Sequence, residues 1–457
     1  MSHRRAWTLA SSVAGAVIVA LDGTVLTVAQ PTLQHGLGAT FAQVQWTSTG
    51  YLIAVAGLLV FSGRLGDRYG HQRLFAIGML GFGAASAGIG LAPGIGWVIG
   101  LRVVQGVFGA LLQPATLGML RAAYPPDRLR MPIAVRTGAI GLAAAAGPVL
   151  GGALVAGPGW RAVFFLNVVP ALVFGLLALT MRGPRPQPSP ARLDVPGAML
   201  LAVTLACLVH VLAGLPDHGW TAVSGAGLVL AVLSGAAFVR HERRTTSPLV
   251  PADVVGSTAV RSALGMLVAA SAALHGALFV ATFLLQDTLG YDPLHMALLG
   301  LPLAALMILA APGSALLLHR IGARSTTVTA MTVLSAGILV LGRGSGAVAL
   351  CSGFALLGAG FGTVMVAATH VVVRRAAVGS AGVAGGLQQT ALNVGPALGV
   401  ALATTLLGPG QRYGPALWVL ALVAGVGAVA GRALPKRSAQ TINPRREGDQ
   451  VEVPARR

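Results

Sequence analysis

The chain has 457 residues, of which 55% are hydrophobic and only 9% charged, with a formal net charge of +19. Soluble domains carry about a quarter of their residues charged, so this composition excludes a water-exposed globular surface and leaves lipid as the main neighbour. Apolar runs of about 20 residues are long enough to cross a ~30 Å hydrocarbon core as helices. Fourteen are read here, at 7–30, 43–63, 74–92, 95–122, 133–155, 162–181, 195–214, 220–239, 260–286, 294–318, 326–342, 346–372, 381–407 and 413–433. No segment between them is long enough for a soluble domain. The fold class is an all-α polytopic membrane protein with 14 transmembrane helices.

The first run follows the basic stretch "SHRRAW" with no small-residue cleavage site, and is read as a retained helix. At its centre, in "ALDGT", stands Asp22, the one acidic residue of twelve placed mid-span. An unpaired charge at that depth costs at least ~2.5–3.5 kcal/mol, so it is neutralised, paired, or faces a water-filled cavity. A carboxylate there suits proton exchange or substrate contact; the plainer reading is a structural aspartate hydrogen-bonded between helices. The second run ends in "GRLGDRYG" (63–70), where Asp67 and Arg68 close the helix and Asp67 can sit against a neighbouring helix N-terminus. In the fourth run Arg102 is the only basic residue read as deep in a span. It lies ~10 Å from the helix end, and Asp22 ~13 Å from the corresponding end of helix 1. Matched depths predict a pair, direct or through water. Gln105, at i+3 from Arg102, and Gln113 are candidates for lining the same cavity, although helix packing accounts for them equally well.

The fifth run carries Ala143, Gly147 and Gly151 at i+4 spacing, with Pro148 and Gly152, and the thirteenth repeats the pattern with Gly395, Pro396 and Gly399. Such smooth faces let helices pack closely, and each proline removes a backbone hydrogen bond. The ninth run holds His275 mid-span. A histidine there could titrate across physiological pH, or it is a neutral ring bonded to a backbone carbonyl. Cys207 and Cys351 show no paired pattern, so neither a disulfide framework nor a metal site is implied. Lys436 is the only lysine, which excludes a phosphate-cradling P-loop of the chain's own. No HExxH-type ligand cluster and no nucleophile with a matching base is present, so no enzyme activity is expected.

The positive charge is asymmetric. With the N-terminus inside, inner segments hold 27 of the 31 Lys and Arg residues, and the outer loops hold only Arg161, Arg343 and Arg412. That places both termini in the cytoplasm. The excess is then topological, with attraction to anionic membrane lipids as a by-product, and it does not indicate a nucleic-acid partner. Arginine outnumbering lysine 30 to one implies a GC-rich bacterial genome.

Three stretches recur in order about 250 residues apart. "ALDGTVLTVAQPTLQHGLG" (20–38) parallels "ALHGALFVATFLLQDTLG" (273–290), "DRYGHQR" (67–73) parallels "HRIGAR" (319–324), and "GPVLGG" (147–152) parallels "GPALGV" (395–400). His275 occupies the position of Asp22 in this repeat, and His319 that of Asp67. A parallel repeat of two six-helix bundles follows, with two helices inserted between them. The expected division is an N-terminal bundle at 1–182, a linker with two inserted helices at 183–258, a C-terminal bundle at 259–433 and a basic cytoplasmic tail at 434–457.

These motifs together resemble the major facilitator superfamily, specifically its fourteen-helix drug:proton antiporter branch, over nearly the whole chain. "LDGTVLTVAQP" (21–31), "WTSTGYL" (46–52), "GRLGDRYG" (63–70), "LRVVQGVFGA" (101–110), "GPVLGG" (147–152), "GWRAVFFLNVVP" (159–170) and "LLQDTLGYDPLHMALLGLP" (285–302) carry the likeness. The departures are His71 and Gln72, where two basic residues are usual before Arg73, and Thr27, where asparagine is usual. The resemblance implies a proton or substrate role for Asp22 and a cavity position for Thr24. It also implies a cytoplasmic gate at Gly63, Asp67, Arg68, Gly70 and Arg73, latching against helix 13, and an antiporter-type packing role for the two Gly-Pro motifs.

The function expected is proton-driven export of amphipathic small molecules by alternating access, from the bacterial plasma membrane. Asp22, Arg102 and His275 are the coupling candidates. The proton gradient would be the only driving agent, with no cofactor or metal. Few charges are placed for a cavity, which suits lipophilic or cationic substrates, and a monomer is expected. An uptake symporter on the same fold and a membrane sensor or assembly partner that no longer transports are the alternatives.

Overall fold

The computed structural model describes residues 3–125, 128–180, 193–245, 248–250, 254, 256–285, 289–291, 293–344, 346–375, 380–407 and 413–434. The first part of the 183–258 linker, through residue 192, and the basic tail from 435 onward lie outside the described residues. The rest is helix: α1 (His3–Leu37), α2 (Phe41–Tyr69), α3 (His71–Gly90), α4 (Ile95–Ala123), α5 (Arg130–Ala156), α6 (Trp160–Phe165), α7 (Val168–Thr180), α8 (Val195–His218), α9 (Ala222–Glu242), α10 (Thr258–Phe283), α11 (Pro293–Arg320), α12 (Gly322–Arg343), α13 (Ala347–Arg375), α14 (Ala381–Leu407) and α15 (Tyr413–Ala430).

Among the described residues, thirteen crossings are long and apolar enough to span a membrane, α6 and α7 counting as one. The fourteenth, α14, has the length but carries Gln388, Gln389, Thr390 and Asn393. It tolerates them because it packs against α10, α2, α4 and α8 and shows little of itself to the outside. Successive crossings alternate in direction. We call the side where α1 begins the near face and the opposite side the far face. Both ends of the described chain then lie at the near face.

Local sequence sets the boundaries. Thr40 and Gln43 form a reciprocal capping box that starts α2, and Asp194 caps α8 through the Gly197 N–H at 2.9 Å. Gly70, at φ 97°, turns the chain between α2 and α3, a backbone conformation that favours glycine. The sixth crossing is broken at Leu166 and Asn167 instead of running unbroken from 162 to 181. Pro170 has no N–H to bond the carbonyl of residue 166, so the helix opens one turn before it. Helix α5 begins at Arg130, three residues earlier than the apolar run, and places Arg136 in its second turn.

The packing repeats. Helix α2 packs on α4, α3 on α4, α1 on α5 and α3 on α7. In the second half α11 packs on α13, α12 on α13, α10 on α14 and α12 on α15. Between the halves, α2 meets α14, α5 meets α11 and α13, and α4 meets α14. An apolar cluster at the near face joins Leu117, Leu120, Ile133 and Ala134 to Ala311, Leu318, Val366 and Val373 across the halves. The inserted helix α8 lies against α2 and α14 together, with Leu205 and Val209 packed on Ala56 and Val394. Large apolar side chains such as Val149, Leu142 and Leu422 point outward, as lipid-facing residues do.

Candidate functional site

Asp22 is the centre of a fully buried polar network inside the first half. Its carboxylate is 3% exposed. Arg102 Nη1 donates to Asp22 Oδ2 at 2.6 Å. Asn167 Nδ2 donates to Oδ1 at 2.7 Å and Gln105 Nε2 at 3.2 Å. Arg102 is held in turn: Nη1 also reaches Gln105 Oε1 at 2.6 Å, Nε donates to the Thr47 carbonyl at 2.9 Å, and the guanidinium lies 4.3 Å over the Tyr51 ring. Ser86 Oγ accepts from Gln105 Nε2 at 2.7 Å and from Asn167 Nδ2 at 3.4 Å. Five crossings thus contribute one cluster: α1, α2, α3, α4 and the junction of α6 with α7.

The physical chemistry of such a cluster is stringent. Burying an ion pair costs several kcal/mol per ion, and this is offset only when remaining lone pairs and donors are satisfied. Here Asp22 receives three donors and Arg102 meets two side chains, a carbonyl and an aromatic face. Asn167, Ser86, Thr47 and Tyr51 were not picked out from sequence. Asn167 is the lone amide in an apolar run, immediately before a helix restart, and that was the available signal.

The other candidates lie elsewhere. Thr24 bonds the carbonyls of Ala20 and Leu21 at 3.2 and 3.1 Å and packs against Gly147, so it belongs to the α1–α5 contact. Gln113 is 4% exposed on α4, ~16 Å along the helix from Arg102 and outside the Asp22 network. His275, half-buried on α10, bonds the Ser271 carbonyl through Nδ1 at 2.9 Å and meets Phe361 edge-on at 6.3 Å between ring centres. It sits in the other half, and no bond joins it to the Asp22 network.

At the near face, Asp67 reaches across the halves. Its Oδ1 accepts from the Gly382 N–H at 2.7 Å and its Oδ2 from the Val383 N–H at 3.1 Å, in the first turn of α14. Those N–H groups have no partner within their helix, and the dipole favours a negative charge there. His71 Nε2 adds a contact to Oδ1 at 3.1 Å. Gly63 and Gly382 make the approach possible: a Cβ on either would overlap the other's carbonyl oxygen. Gly70 turns the chain, Arg68 lies 5.5 Å over the Tyr69 ring, and Arg73 is exposed. Gln72 Nε2 donates to the Ala178 carbonyl at 2.8 Å, fastening α3 to α7.

The Gly-Pro motifs are helix contacts. Gly147 meets Thr24, and a Cβ on Gly151 would lie 3.2 Å from Val25. Gly395 lies against Ser271 and Gly399 against the Ala272 backbone, so that α5 meets α1 as α14 meets α10. Gly152 has open space around it, and Pro148 and Pro396 sit within their helices. Among the described residues no group of three or more His, Cys, Asp or Glu side chains could hold a metal.

Paired six-crossing halves, a charge pair buried in one of them and a polar latch between them are the anatomy of a membrane transporter. The chain belongs to the Major Facilitator Superfamily, whose pattern it matches over residues 13–400. It is 41% identical over 411 residues to the tetracenomycin C resistance and export protein of Streptomyces glaucescens, covering 88% of this chain and 76% of that one. It is 34% identical over 415 residues to the puromycin resistance protein pur8 of Streptomyces alboniger, covering 88% and 82%. The crystal structure of the human transporter MFSD10 has the same fold, with a TM-score of 0.71 at 14% identity, covering 93% of this chain and 99% of that one. The family and these relatives are transporters.

Proposed function

We propose that the protein exports amphipathic small molecules, antibiotics among them, in exchange for protons. The relatives named for antibiotic resistance and export support the direction and the substrate class. The buried Asp22–Arg102 pair carries the coupling. Protonating Asp22 removes the charge that holds Arg102 and turns one oxygen from acceptor to donor. The three donors facing the carboxylate can then no longer all be satisfied. A buried guanidinium without its partner is costly, so proton arrival has to be accompanied by movement of α1 against α4 and the α6–α7 junction. His275 would act as a second titrating group in the other half.

The halves 1–182 and 259–433 would rock as two bodies about the contacts of α2 with α14 and α5 with α11, while α8, from the inserted stretch 183–258, covers one seam. The near face is assigned to the cytoplasm from the basic residues there, and the membrane to the bacterial plasma membrane. The basic sequence at 434–457 is assigned to the same side. With the near face latched by Asp67 at α14, this conformation is the one closed to the cytoplasm. The remaining gate residues, Gly63, Arg68, Gly70 and Arg73, shape or flank that latch, and the faces at Gly147–Gly152 and Gly395–Gly399 let α1 and α10 slide. The energy source is the proton gradient, with no cofactor, and one chain suffices as a monomer.

The test is ethidium efflux from cells lacking their own pumps, comparing wild type with Asp22→Asn, with and without an uncoupler. Efflux abolished by both treatments supports exchange. Efflux that persists in the Asp22→Asn variant removes Asp22 as the carrier. Uptake in place of efflux would favour a symporter, and well-expressed wild type that moves no substrate in either direction would point to a sensor that has kept the fold alone.

A further inference from the structure

Arg136 is a second buried arginine, and nothing in the Asp22 network uses it. In the sequence it counts among the inner-side basic residues, near the start of the apolar run 133–155. In the fold it lies in the second turn of α5 and is 2% exposed, and its Nε has no hydrogen-bond partner. Among the described residues the ion pairs join Asp22, Asp67 and Asp194 to other groups, and none reaches Arg136. A buried cation held for structure alone is paired, and an ionisable side chain inside a membrane bundle otherwise marks the path of a ligand.

The same level of the bundle holds further polar atoms without partners. Gln388 of α14 is 0% exposed with both amide atoms unbonded, and Thr369 of α13 is 2% exposed with its hydroxyl unbonded. One set of contacts brings these helices together. A Cβ on Gly385 would lie 3.3 Å from the Pro114 carbonyl oxygen and from the Leu117 side chain of α4. Leu117 shares an apolar cluster with Ile133 of α5 and Val366 of α13. Arg136 is six residues from the near-face start of α5, Gln388 seven from that of α14, and Thr369 six from the near-face end of α13, which puts all three ~9–10 Å deep. Gln113 precedes Pro114 on α4 and completes the group. The place is defined from both sides. It is ~9 Å deeper than Gly382 of the latch, by six residues of α14. It is ~16 Å nearer the near face than Gly147, by eleven residues of α5.

We propose that Arg136, Thr369 and Gln388, from both halves of the protein, form a substrate subsite just behind the near-face latch. Its ligand is an amphipathic molecule bearing an ionised acidic oxygen: a phenolate, enolate or carboxylate on an otherwise apolar body. The proposal rests on the export reading and narrows it. Arg102 is neutralised by Asp22, whereas among the described residues no ion pair answers the charge of Arg136. An anionic oxygen supplies the partner that the guanidinium lacks, and Gln388 and Thr369 add donors beside it. A cationic molecule at the same place would be repelled. The sequence reading favoured lipophilic or cationic substrates for want of cavity charge.

Two xanthene dyes of similar shape and opposite charge test this: anionic fluorescein and cationic rhodamine 6G. Binding to the purified full-length protein is read by fluorescence polarisation, and export by efflux from cells. Wild type is expected to bind fluorescein at least tenfold more tightly than rhodamine 6G. Arg136→Gln is expected to weaken fluorescein about tenfold or more, the scale of one charge-assisted hydrogen bond. Rhodamine 6G should change less than about twofold, and Arg136→Lys should restore most of the fluorescein affinity. Gln388→Leu, which leaves the charge in place, should weaken fluorescein severalfold and carries the test if Arg136→Gln does not elute as a folded protein. Fluorescein binding unchanged by Arg136→Gln and Gln388→Leu overturns the proposal, as does equal loss of both dyes in folded variants. Wild type that moves rhodamine 6G but not fluorescein overturns it while leaving the export reading standing. Wild type that moves neither dye overturns both.

Discussion

Replacing Asp67 with asparagine should open the near face. The side chain keeps its shape, so the Gly63–Gly382 approach is undisturbed and what is lost is the charge and one of the two acceptors. Wild-type Asp67 accepts from two N–H groups at the start of α14, at 2.7 and 3.1 Å. Hydrogen bonds to a charged group contribute about 1.5–3 kcal/mol, and a negative charge at a helix N-terminus adds about 0.3–1 kcal/mol at exposed sites. Asparagine keeps one neutral acceptor. The net loss is about 2 kcal/mol from the latched state alone, which moves the latched-to-open equilibrium by about thirtyfold. Pulsed electron-spin distance measurements on full-length protein read that population directly. Labels would go at Ala122 and Ile321, exposed near-face positions in different halves, with Cys207 and Cys351 replaced. The wild type should give mainly the short distance, Asp67→Asn a substantial longer one, and Asp67→Glu an intermediate pattern. Identical distributions for wild type and Asp67→Asn would refute the reasoning.

Other substitutions separate contacts that look alike. Tyr51 presents its ring face to Arg102, while its hydroxyl has no hydrogen-bond partner. Tyr51→Phe should therefore leave efflux near wild type, whereas Tyr51→Leu should cost about 1–2 kcal/mol of stability in a thermal melt and slow efflux. Asn167→Leu removes one of three donors to Asp22 and should reduce efflux about tenfold with the protein still monodisperse. Gly399→Ala would push a Cβ into the Ala272 backbone and should lower the melting temperature by an amount matching about 1–3 kcal/mol. At Gly152, with open space around it, alanine should change little.

Much of the architecture was legible because membrane spans are read by length and polarity alone. Thirteen crossings satisfy those tests, and α14 was found from its length despite its amides. The meeting of Asp22 and Arg102 was legible because helical rise converts residue counts into depth, and two opposite charges at one depth have few other ways to be satisfied. Asn167 was not legible. It joins the network only because α6 ends at Phe165 and α7 restarts at Val168, and an apolar run gives no hint of a break beyond Pro170. Arg136 went unremarked for a different reason. A charge near the edge of an apolar run looks like one more near-face basic residue, and its burial comes from the helices packed around the start of α5. Thr24 was read as a polar group free for a cavity. In the fold its hydroxyl bonds the preceding turn, a common fate for threonine inside a helix.

The central claim is that Asp22 carries the proton exchanged for substrate. Its most direct test is proton movement in sealed proteoliposomes, recorded with an internal pH dye after an outward rhodamine 6G or fluorescein gradient is imposed without a pH gradient. The account predicts that substrate leaving the vesicles acidifies the lumen with wild-type protein, and that Asp22→Asn protein of equal incorporation produces no acidification. Acidification that continues in the Asp22→Asn protein, at the wild-type ratio to substrate moved, would contradict it.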